Sequence, residues 1–262
     1  MSEPLDILAM LHVAARHPAM RMVARAKLGE MLTAGDLLAE YIAADRAAAI
    51  HPSDYGSCSL ALWAEKHGLD DIDRDPLDDN LARLDLGSLI GAWEACLVYG
   101  WTVIMDGRWK AHLEFVPDGG GHIDLLMHDL ANDESIPVEF KSTYDGSGAI
   151  VGPHEKRGSR AHALQTAQYA ERVGADRFVV VYIKPPAKKG DRFAQFEYEL
   201  EPWLPAIAEE RARLERALGD DAPAPDPQAP WSCFTCRWSG CDLNKNRRAL
   251  APAAALGEGD FA

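Results

Sequence analysis

The hydrophobic pattern of the chain changes its period near residue 99, and this change limits the folds that the chain can adopt. Before it, residues 4–48 and 81–98 repeat apolar side chains at helical spacing. After it, four segments alternate apolar and polar residues between Gly/Asp turns, which is typical of strands. These segments read YGWTVIMDG, WKAHLEFVPD, GHIDLLMHD and SIPVEFKST.

The second half of the chain alternates between the two patterns again. The segment ALQTAQYAERVG predicts a helix that ends at Gly174, and RFVVVYI predicts a strand that Pro185 and Pro186 stop. FAQFEYEL predicts another strand, and WLPAIAEERARLERALG predicts a last helix. An order of helix, three or four antiparallel strands, helix and strand predicts an α/β fold, a compact core with helices on its flanks.

Composition shifts divide the chain into five regions. At 262 residues and 47% hydrophobic content, it is long enough and apolar enough to bury a core. Residues 51–58 predict a loop that leads into the helix LALWAEKHG, and GDDAPAPDPQAP has the composition of a linker. We predict an N-terminal helical region at 1–50, a core at 51–218, a linker at 219–230, a cysteine module at 231–249 and a tail at 250–262.

Targeting signals and charge narrow the location and the partners. The N-terminus lacks the basic start and apolar run of a secretory signal, and no stretch of about 18 apolar residues occurs, so we expect a cytoplasmic protein. The net charge of −14 argues against a nucleic-acid binder. Residues 156–192, however, hold nine basic and three acidic residues. Such a stretch either attracts a polyanion or is ordinary solvated surface.

Three charged residues interrupt the apolar pattern of two neighbouring predicted strands. Asp124 lies in GHIDLLM, and Glu139 and Lys141 flank Phe140 in IPVEFKST. Alternation places Glu139 and Lys141 on one face, so the two strands can present all three charges to one point. Close carboxylates repel unless a cation or a proton lies between them, and Mg²⁺ or Mn²⁺ suits an all-oxygen site. The alternative is an edge strand with a solvent-facing salt bridge.

A third motif follows these strands on a predicted helix. Gln165 and Tyr169 are four residues apart and therefore share one helical face. In order and spacing, GHID, VEFK and QTAQY resemble the G-x-I-D, E-x-K and Q-x-x-x-Y motifs of PD-(D/E)XK superfamily nucleases of the RecB type. The resemblance covers about residues 50–245. An iron–sulfur branch of that superfamily includes the AddB nuclease domain and the CRISPR-associated four-cysteine exonucleases, which have phage relatives.

The resemblance implies a fold and an activity. The fold is a restriction-endonuclease-like core, a mixed central sheet flanked by helices, with an N-terminal helical region and a C-terminal cysteine module. The activity is that of a Mg²⁺- or Mn²⁺-dependent DNA exonuclease, which hydrolyses phosphodiester bonds at DNA ends in recombination, repair or phage and CRISPR DNA processing. The expected substrate is DNA with single-stranded character, in the cytoplasm of a bacterium or a phage-infected cell.

The resemblance also assigns roles to individual residues. Asp124 and Glu139 would bind the divalent metal, together with the main-chain carbonyl of Phe140. Lys141 would position or activate the attacking water. The two residues that would brace the site or contact the DNA backbone are Gln165 and Tyr169.

One position departs from the family pattern. The family places a further metal ligand, a histidine, in a G-x-x-x-H context on the helix before the strands, whereas this chain has Gly87 and Gly91 there. Glu94, one turn further on, is a candidate substitute or else an ordinary surface glutamate. His112 and His122, on predicted strands, are further candidates. The gap leaves open an alternative function, a catalytically weakened DNA-binding or assembly protein with a nuclease fold.

Three of the five cysteines lie within nine residues of each other, at Cys233, Cys236 and Cys241. This spacing suits a thiolate-bound metal, and such a site usually takes four ligands. Cys96 lies among apolar residues and is expected to be a buried small side chain. Cys58 opens a helix after a loop, as the N-terminal cluster cysteine does in the resembling family. The four cysteines are therefore expected to bind a [4Fe–4S] cluster, with structural Zn²⁺ as the alternative.

Overall fold

A computed structural model describes residues 5–32, 58–67, 79–105, 107–115, 122–142, 159–183, 193–219 and 221. The protein has an α/β fold in which helices flank a five-stranded mixed sheet. The cysteine module at 231–249, the tail at 250–262 and most of the linker lie outside the described residues. No helix among the described residues is long and apolar enough to cross a membrane.

Five helices and five strands have defined limits, and residues 18–32 are also helical. The elements are α1 Ile7–Ala14, α2 Ser59–Lys66, α3 Asp79–Met105, β1 Trp109–Phe115, β2 Ile123–Asp129, β3 Glu134–Ser142, α4 Arg160–Val173, β4 Arg177–Ile183, β5 Phe193–Glu199 and α5 Leu204–Ala217, with a 3₁₀ turn Glu201–Trp203 before α5.

The strands follow one another in the sheet in the order β1-β2-β3-β4-β5. All neighbouring strands are antiparallel except β3 and β4, which are parallel and joined through α4. The antiparallel arrangement predicted for the strands before the helix is confirmed for β1, β2 and β3, whereas β4, which follows the helix, is parallel to β3. A parallel pair needs a long crossover, and the α4 helix provides it. As predicted, this helix ends at Gly174, which adopts the left-handed conformation with φ 67°.

The two faces of the sheet carry different cores. Val138 and Phe140 of β3 belong to the apolar cluster on the side of α1 and α3. Val180 and Tyr182 of β4 belong to the second cluster, under α4 and α5. In the parallel pairing Glu139 lies opposite Val180 and Lys141 opposite Tyr182. The charged residues of β3 therefore share the α4 face with this second core.

The long helix α3 corrects the predicted strand that began at residue 99. The segment 99–105 is helical and completes α3. Gly100 explains this, because a Cβ atom there would lie 2.5 Å from the main-chain oxygen of Met20. The backbone of α3 thus passes directly against the 18–32 helix, and this packing outweighs the strand preference of the β-branched residues in the segment.

The described part of the N-terminal region, residues 5–32, holds α1 and the 18–32 helix and is joined to the core. The Asp6 side chain caps α1 by accepting a hydrogen bond of 2.8 Å from the amide of Ala9. Gln195 on β5 accepts one of 2.9 Å from the amide of Ile7 and donates one of 2.5 Å to the carbonyl of Leu5. Through Gln195 the edge strand of the sheet fixes the start of α1.

Candidate active site on the α4 face of the sheet

Lys141 lies at the centre of the candidate site. Its ammonium Nζ donates hydrogen bonds to Oε1 of Glu139 at 2.6 Å and to Oε1 of Gln165 at 3.0 Å. Nε2 of Gln165 also donates to Oε1 of Glu139, at 3.3 Å. The Glu139 side chain is 5% exposed and that of Lys141 22%. The predicted solvent-facing alternative therefore does not describe this pair, which is largely buried beneath α4.

Asp124 joins the same face from the neighbouring strand. Leu125 pairs with Val138 across β2 and β3, so the next position along the ladder sets Asp124 opposite Glu139. Oδ2 of Asp124 accepts a hydrogen bond of 2.7 Å from the amide of Phe140. The side chain thereby takes up a main-chain donor at the end of the β2–β3 ladder, and this holds the carboxylate between the two strands.

The charges within the site are unevenly balanced. Burial disfavours the ammonium of Lys141, but the carboxylates of Glu139 and Asp124 outweigh that effect and raise the pKa of Lys141 above its ordinary value. Lys141 is therefore a cation at neutral pH. The second oxygen of Glu139, Oε2, is buried and has no hydrogen-bond partner among the described residues. Two carboxylates face one ammonium, which leaves an acceptor site for a further cation or donor.

Tyr169 and Gln165 brace the site from α4, on the shared face that their spacing predicts. Tyr169 is buried, and its oxygen lies near the side chain of Gln165 and the backbone of His122. Burial, reinforced by the charge of Glu139, raises the pKa of Tyr169 above its ordinary value. Tyr169 is therefore a neutral phenol at physiological pH, and it ties α4 to the segment that enters β2.

Sequence reasoning missed one residue at this site, His162. It lies three residues before Gln165 on α4, and its Nδ1 is 3.1 Å from the Tyr182 hydroxyl oxygen. That oxygen also accepts a hydrogen bond of 2.8 Å from the amide of Ser159. Helical spacing was a signal that could have found His162, since residues three apart share a helical face.

The predicted replacement for the family histidine has a defined position in the fold. Gly91 lies on α3 against β3, and a Cβ atom there would be 3.5 Å from the Cβ of Phe140 and 3.9 Å from its carbonyl oxygen. Glu94, three residues on, is buried, so it is not a surface glutamate. The α3 helix, however, covers the face of the sheet opposite to the Glu139 side chain. A ligand on α3 would have to approach the site from the Phe140 side.

The two histidines predicted to approach the site lie at different distances from it. His122 immediately precedes β2, and its backbone contacts Tyr169. His112 is exposed on β1 and pairs with Leu126, two positions along β2 from Asp124. The structure therefore places His122 beside the site and His112 further from it.

The ligand atoms present at the site determine which metal ion it could bind. Among the described residues, no three His, Cys, Asp or Glu side chains come close enough together to hold a metal ion. Mg²⁺, however, keeps several waters and is commonly bound by only one or two carboxylates. Asp124, Glu139 and the carbonyl of Phe140 are all oxygen donors, and Oε2 of Glu139 is an orphaned buried acceptor in the described part of the chain. These residues fit a largely hydrated hard cation.

The helix that carries Cys58 is packed against the last helix of the core. Cys58 is buried and directly precedes α2. Arg213 of α5 donates a hydrogen bond to the hydroxyl of Ser59, and Nε1 of Trp63 donates one of 3.0 Å to the carbonyl of Gly219. Cys58 therefore lies close to the point where the chain leaves the core for the linker.

The remaining cysteines divide into two groups. Cys96 is fully buried in the apolar cluster of α1 and α3, and its Sγ is 3.5 Å from the sulfur of Met31. It is the buried small side chain that the sequence predicted. The three clustered cysteines, Cys233, Cys236 and Cys241, lie outside the described residues.

One arginine of the basic stretch 156–192 stabilises the sheet through ion pairs. Arg177 is 5% exposed and forms a bidentate ion pair with Glu134, at 2.7 and 2.9 Å, and a further pair with Glu197. It thus joins β3, β4 and β5 and adds no open positive charge to the surface. Most of the other basic residues of 156–192 lie outside the described part of the chain.

Comparison with known proteins adds a structural neighbour. No family model matches the chain, and no curated protein matches it. A solved structure described as the crystal structure of SSO0001 is similar at 18% sequence identity, over 85% of this chain and 96% of that one, with a TM-score of 0.47.

Proposed function

We propose that this protein is a metal-dependent deoxyribonuclease, an exonuclease that hydrolyses phosphodiester bonds at DNA ends. One observation carries the proposal: a lysine held between a buried glutamate and a glutamine, with an aspartate on the same face of the sheet. Burying charged groups is costly, and a fold has no structural need for two carboxylates facing one ammonium. The resemblance of GHID, VEFK and QTAQY to the PD-(D/E)XK motifs is the reason for assigning nuclease chemistry to this cluster.

The side chains divide the work of the reaction among them. Asp124, Glu139 and the carbonyl of Phe140 would hold a divalent cation, which when bound lowers the pKa of water and neutralises phosphate charge. Lys141 would position or activate the attacking water through Nζ, which donates a 2.6 Å hydrogen bond to Glu139. Gln165 fixes Nζ through the 3.0 Å hydrogen bond.

The cysteines would close the protein around this site. Cys58, Cys233, Cys236 and Cys241 would bind a [4Fe–4S] cluster, or Zn²⁺ in the alternative. The contact of Trp63 with Gly219 supports this proposal, because it already holds the helix after Cys58 at the exit of the core. Thirteen residues separate Gly219 from Cys233, and an extended chain spans about 3.5 Å per residue, so the segment can return to Cys58.

The proposed substrate is DNA with single-stranded character, in the cytoplasm of a bacterium or a phage-infected cell. A protein with a net charge of −14 needs local features to bind a polyanion. Lys141 provides a fixed cation at the site, and the basic residues of 156–192 other than Arg177 would supply the approach. Binding is then expected to weaken steeply with added salt.

A degradation assay tests the proposal. Fluorescently labelled single- and double-stranded oligonucleotides are incubated with the purified protein in Mg²⁺ or Mn²⁺, with and without EDTA. We expect metal-dependent shortening from the ends, and its loss in Glu139→Ala. Glu30→Ala is the matched control, since Glu30 forms an exposed 2.9 Å pair with Lys27 away from the site. Equal cleavage by wild type and Glu139→Ala would refute the assignment.

A second candidate function is a catalytically weakened DNA-binding or assembly protein. Two observations favour it, the glycine at 91 and the lack of a third acidic or histidine ligand among the described residues beside Asp124 and Glu139. DNA binding without metal-dependent cleavage would establish this candidate. Gly91→His tests the same point, because the new side chain would extend from a Cβ position 3.9 Å from the Phe140 oxygen. Gain of cleavage at lower Mg²⁺ is expected if the missing ligand limits activity.

A further inference from the structure

The imidazole of His162 lies beside Lys141 on the α4 face of the sheet. Tyr182, the hydrogen-bond partner of His162, is directly opposite Lys141 in the β3–β4 pairing. Gln165, one helical turn after His162, accepts the 3.0 Å hydrogen bond from Lys141. The strand pairing of Tyr182 and the helical position of Gln165 therefore place this histidine beside the candidate active site.

The hydrogen bonds around Tyr182 orient the ring of His162. The amide of Ser159 donates to the Tyr182 oxygen at 2.8 Å, and Nδ1 of His162 lies 3.1 Å from the same oxygen, within reach of the phenol proton. Nδ1 then accepts a hydrogen bond, and in a neutral imidazole the proton sits on Nε2. This tautomer is assigned from the hydrogen-bond network.

The environment keeps the ring neutral. Burial and the nearby charge of Lys141 lower the pKa of His162 to about 3. In the described part of the chain, the ring of His162 is hydrogen-bonded through Nδ1 to Tyr182, and Nε2 makes no hydrogen bond. The result is an oriented, uncharged N–H donor in a half-buried position next to a fixed ammonium. An anionic oxygen is the acceptor that suits such a pair of donors.

We propose that Nε2 of His162 donates a hydrogen bond to a non-bridging oxygen of the DNA phosphate that lies beside Lys141. His162 would then contact the substrate, and Tyr182 would be a positioning residue that acts through it. The inference rests on the proposed nuclease function and deepens it. The neutral ring supplies a directional contact to one phosphate oxygen, whereas the Lys141 ammonium supplies charge.

Kinetics with sulfur-substituted DNA test the contact. His162→Leu is expected to lower kcat/KM by about 10- to 100-fold, and His162→Gln, which keeps an N–H donor, to restore much of it. One phosphorothioate stereoisomer at the scissile linkage should slow the wild type, because sulfur accepts hydrogen bonds poorly. The same isomer should slow His162→Leu no further. Equal slowing of both proteins would overturn the proposal.

Two controls keep the result specific. His128→Gln changes a ring that contacts Ser135, on the β2–β3 pair, and should retain wild-type kinetics and the wild-type sulfur effect. Tyr182→Phe removes the phenol that holds Nδ1 and should lower kcat/KM less than His162→Leu does. A Tyr182→Phe protein with unchanged kcat/KM and unchanged sulfur effect would contradict its positioning role.

Nuclear magnetic resonance separates failure of this inference from failure of the proposed function. If the wild type cleaves no DNA, the proposed function fails, and ¹⁵N-histidine spectra still decide the assignment of His162. The free protein should show the Nε2–H tautomer, and a short oligothymidylate should shift the Nε2 resonance in a saturable way. A proton on Nδ1, or an Nε2 resonance that the oligothymidylate leaves unmoved, would overturn the inference.

Discussion

The indole Nε1 of Trp63 donates a 3.0 Å hydrogen bond to the carbonyl of Gly219, and so joins the start of the core to its end. The bond fixes the helix that follows Cys58 beside the residue from which the linker departs. A metal shared by Cys58 and the three C-terminal cysteines would close a loop of most of the chain at this point. Closing so long a loop stabilises the fold by restricting the unfolded chain.

The cysteine assignment predicts different outcomes for two buried cysteines. Cys58→Ser should lose iron, sulfide and visible colour, and its melting temperature should fall because the loop is no longer closed. Cys96→Ser, in the apolar cluster beside Met31, should keep the colour while losing some stability through its buried hydroxyl. Visible spectra, iron and sulfide analysis and thermal melts of anaerobically purified proteins provide the measurement. A colourless wild type that contains zinc would exclude the cluster.

Replacement of Lys141 should remove catalysis and spare the fold. Lys141→Met loses the oriented ammonium, and we expect single-turnover DNA cleavage to fall by at least about 100-fold. Lys27→Met removes a lysine that pairs with Glu30 at 2.9 Å on the surface and should leave the rate unchanged. Circular dichroism confirms that both variants are folded. Cleavage by Lys141→Met at the rate of the Lys27 variant would place the chemistry elsewhere.

Replacing each of two glycines of α3 by alanine should change the free energy of unfolding in opposite directions. At Gly91 a Cβ atom meets Phe140 at ordinary contact distance, so Gly91→Ala should raise the free energy of unfolding by up to about 1 kcal/mol through helix propensity. At Gly100 the Cβ atom would lie 2.5 Å from the Met20 oxygen, so Gly100→Ala should lower it by about 1–3 kcal/mol. Denaturant unfolding measures both. A stabilised Gly100→Ala would mean that the 18–32 helix is not packed closely against α3.

Asp129 should make the protein sensitive to acid. Hydrogen bonds from Arg108, at 3.1 and 2.7 Å, oppose protonation and hold the pKa of Asp129 far below its ordinary value, with support from Asn132 at 2.8 Å. A depressed folded-state pKa contributes stability above the unfolded pKa and loses it as the pH falls. Asp129→Asn should cost about 2 kcal/mol at neutral pH. Below about pH 4 the difference from wild type should shrink.

The matched control for Asp129 lies in the same turn. Asp133 is 96% exposed and adopts φ 53°, which asparagine also tolerates. Asp133→Asn should therefore unfold like the wild type across the same pH range. A cost for Asp129→Asn that stays constant from neutral pH to pH 3 would contradict the linkage.

Local patterns in the sequence anticipated much of the site. Period-two alternation is a property of any strand, so it correctly placed Glu139 and Lys141 on one face. Helical spacing likewise placed Gln165 and Tyr169 together. His162 escaped notice because its importance comes from Tyr182, a residue of β4 that no local pattern connects to α4. The charge count similarly gave no sign that Arg177 is enclosed by Glu134 and Glu197.

The sequence by itself determined the strands and helices whose periodicity is strong, the end of α4 at Gly174 and the shared face of the charged residues, since these depend on local backbone geometry. Only the tertiary structure decided that residues 99–105 are helical, that β3 and β4 are parallel, and that Glu94 is buried. Each of these depends on contacts between distant segments, such as Gly100 against Met20. The free energy of such packing exceeds the weak local preferences that a sequence displays.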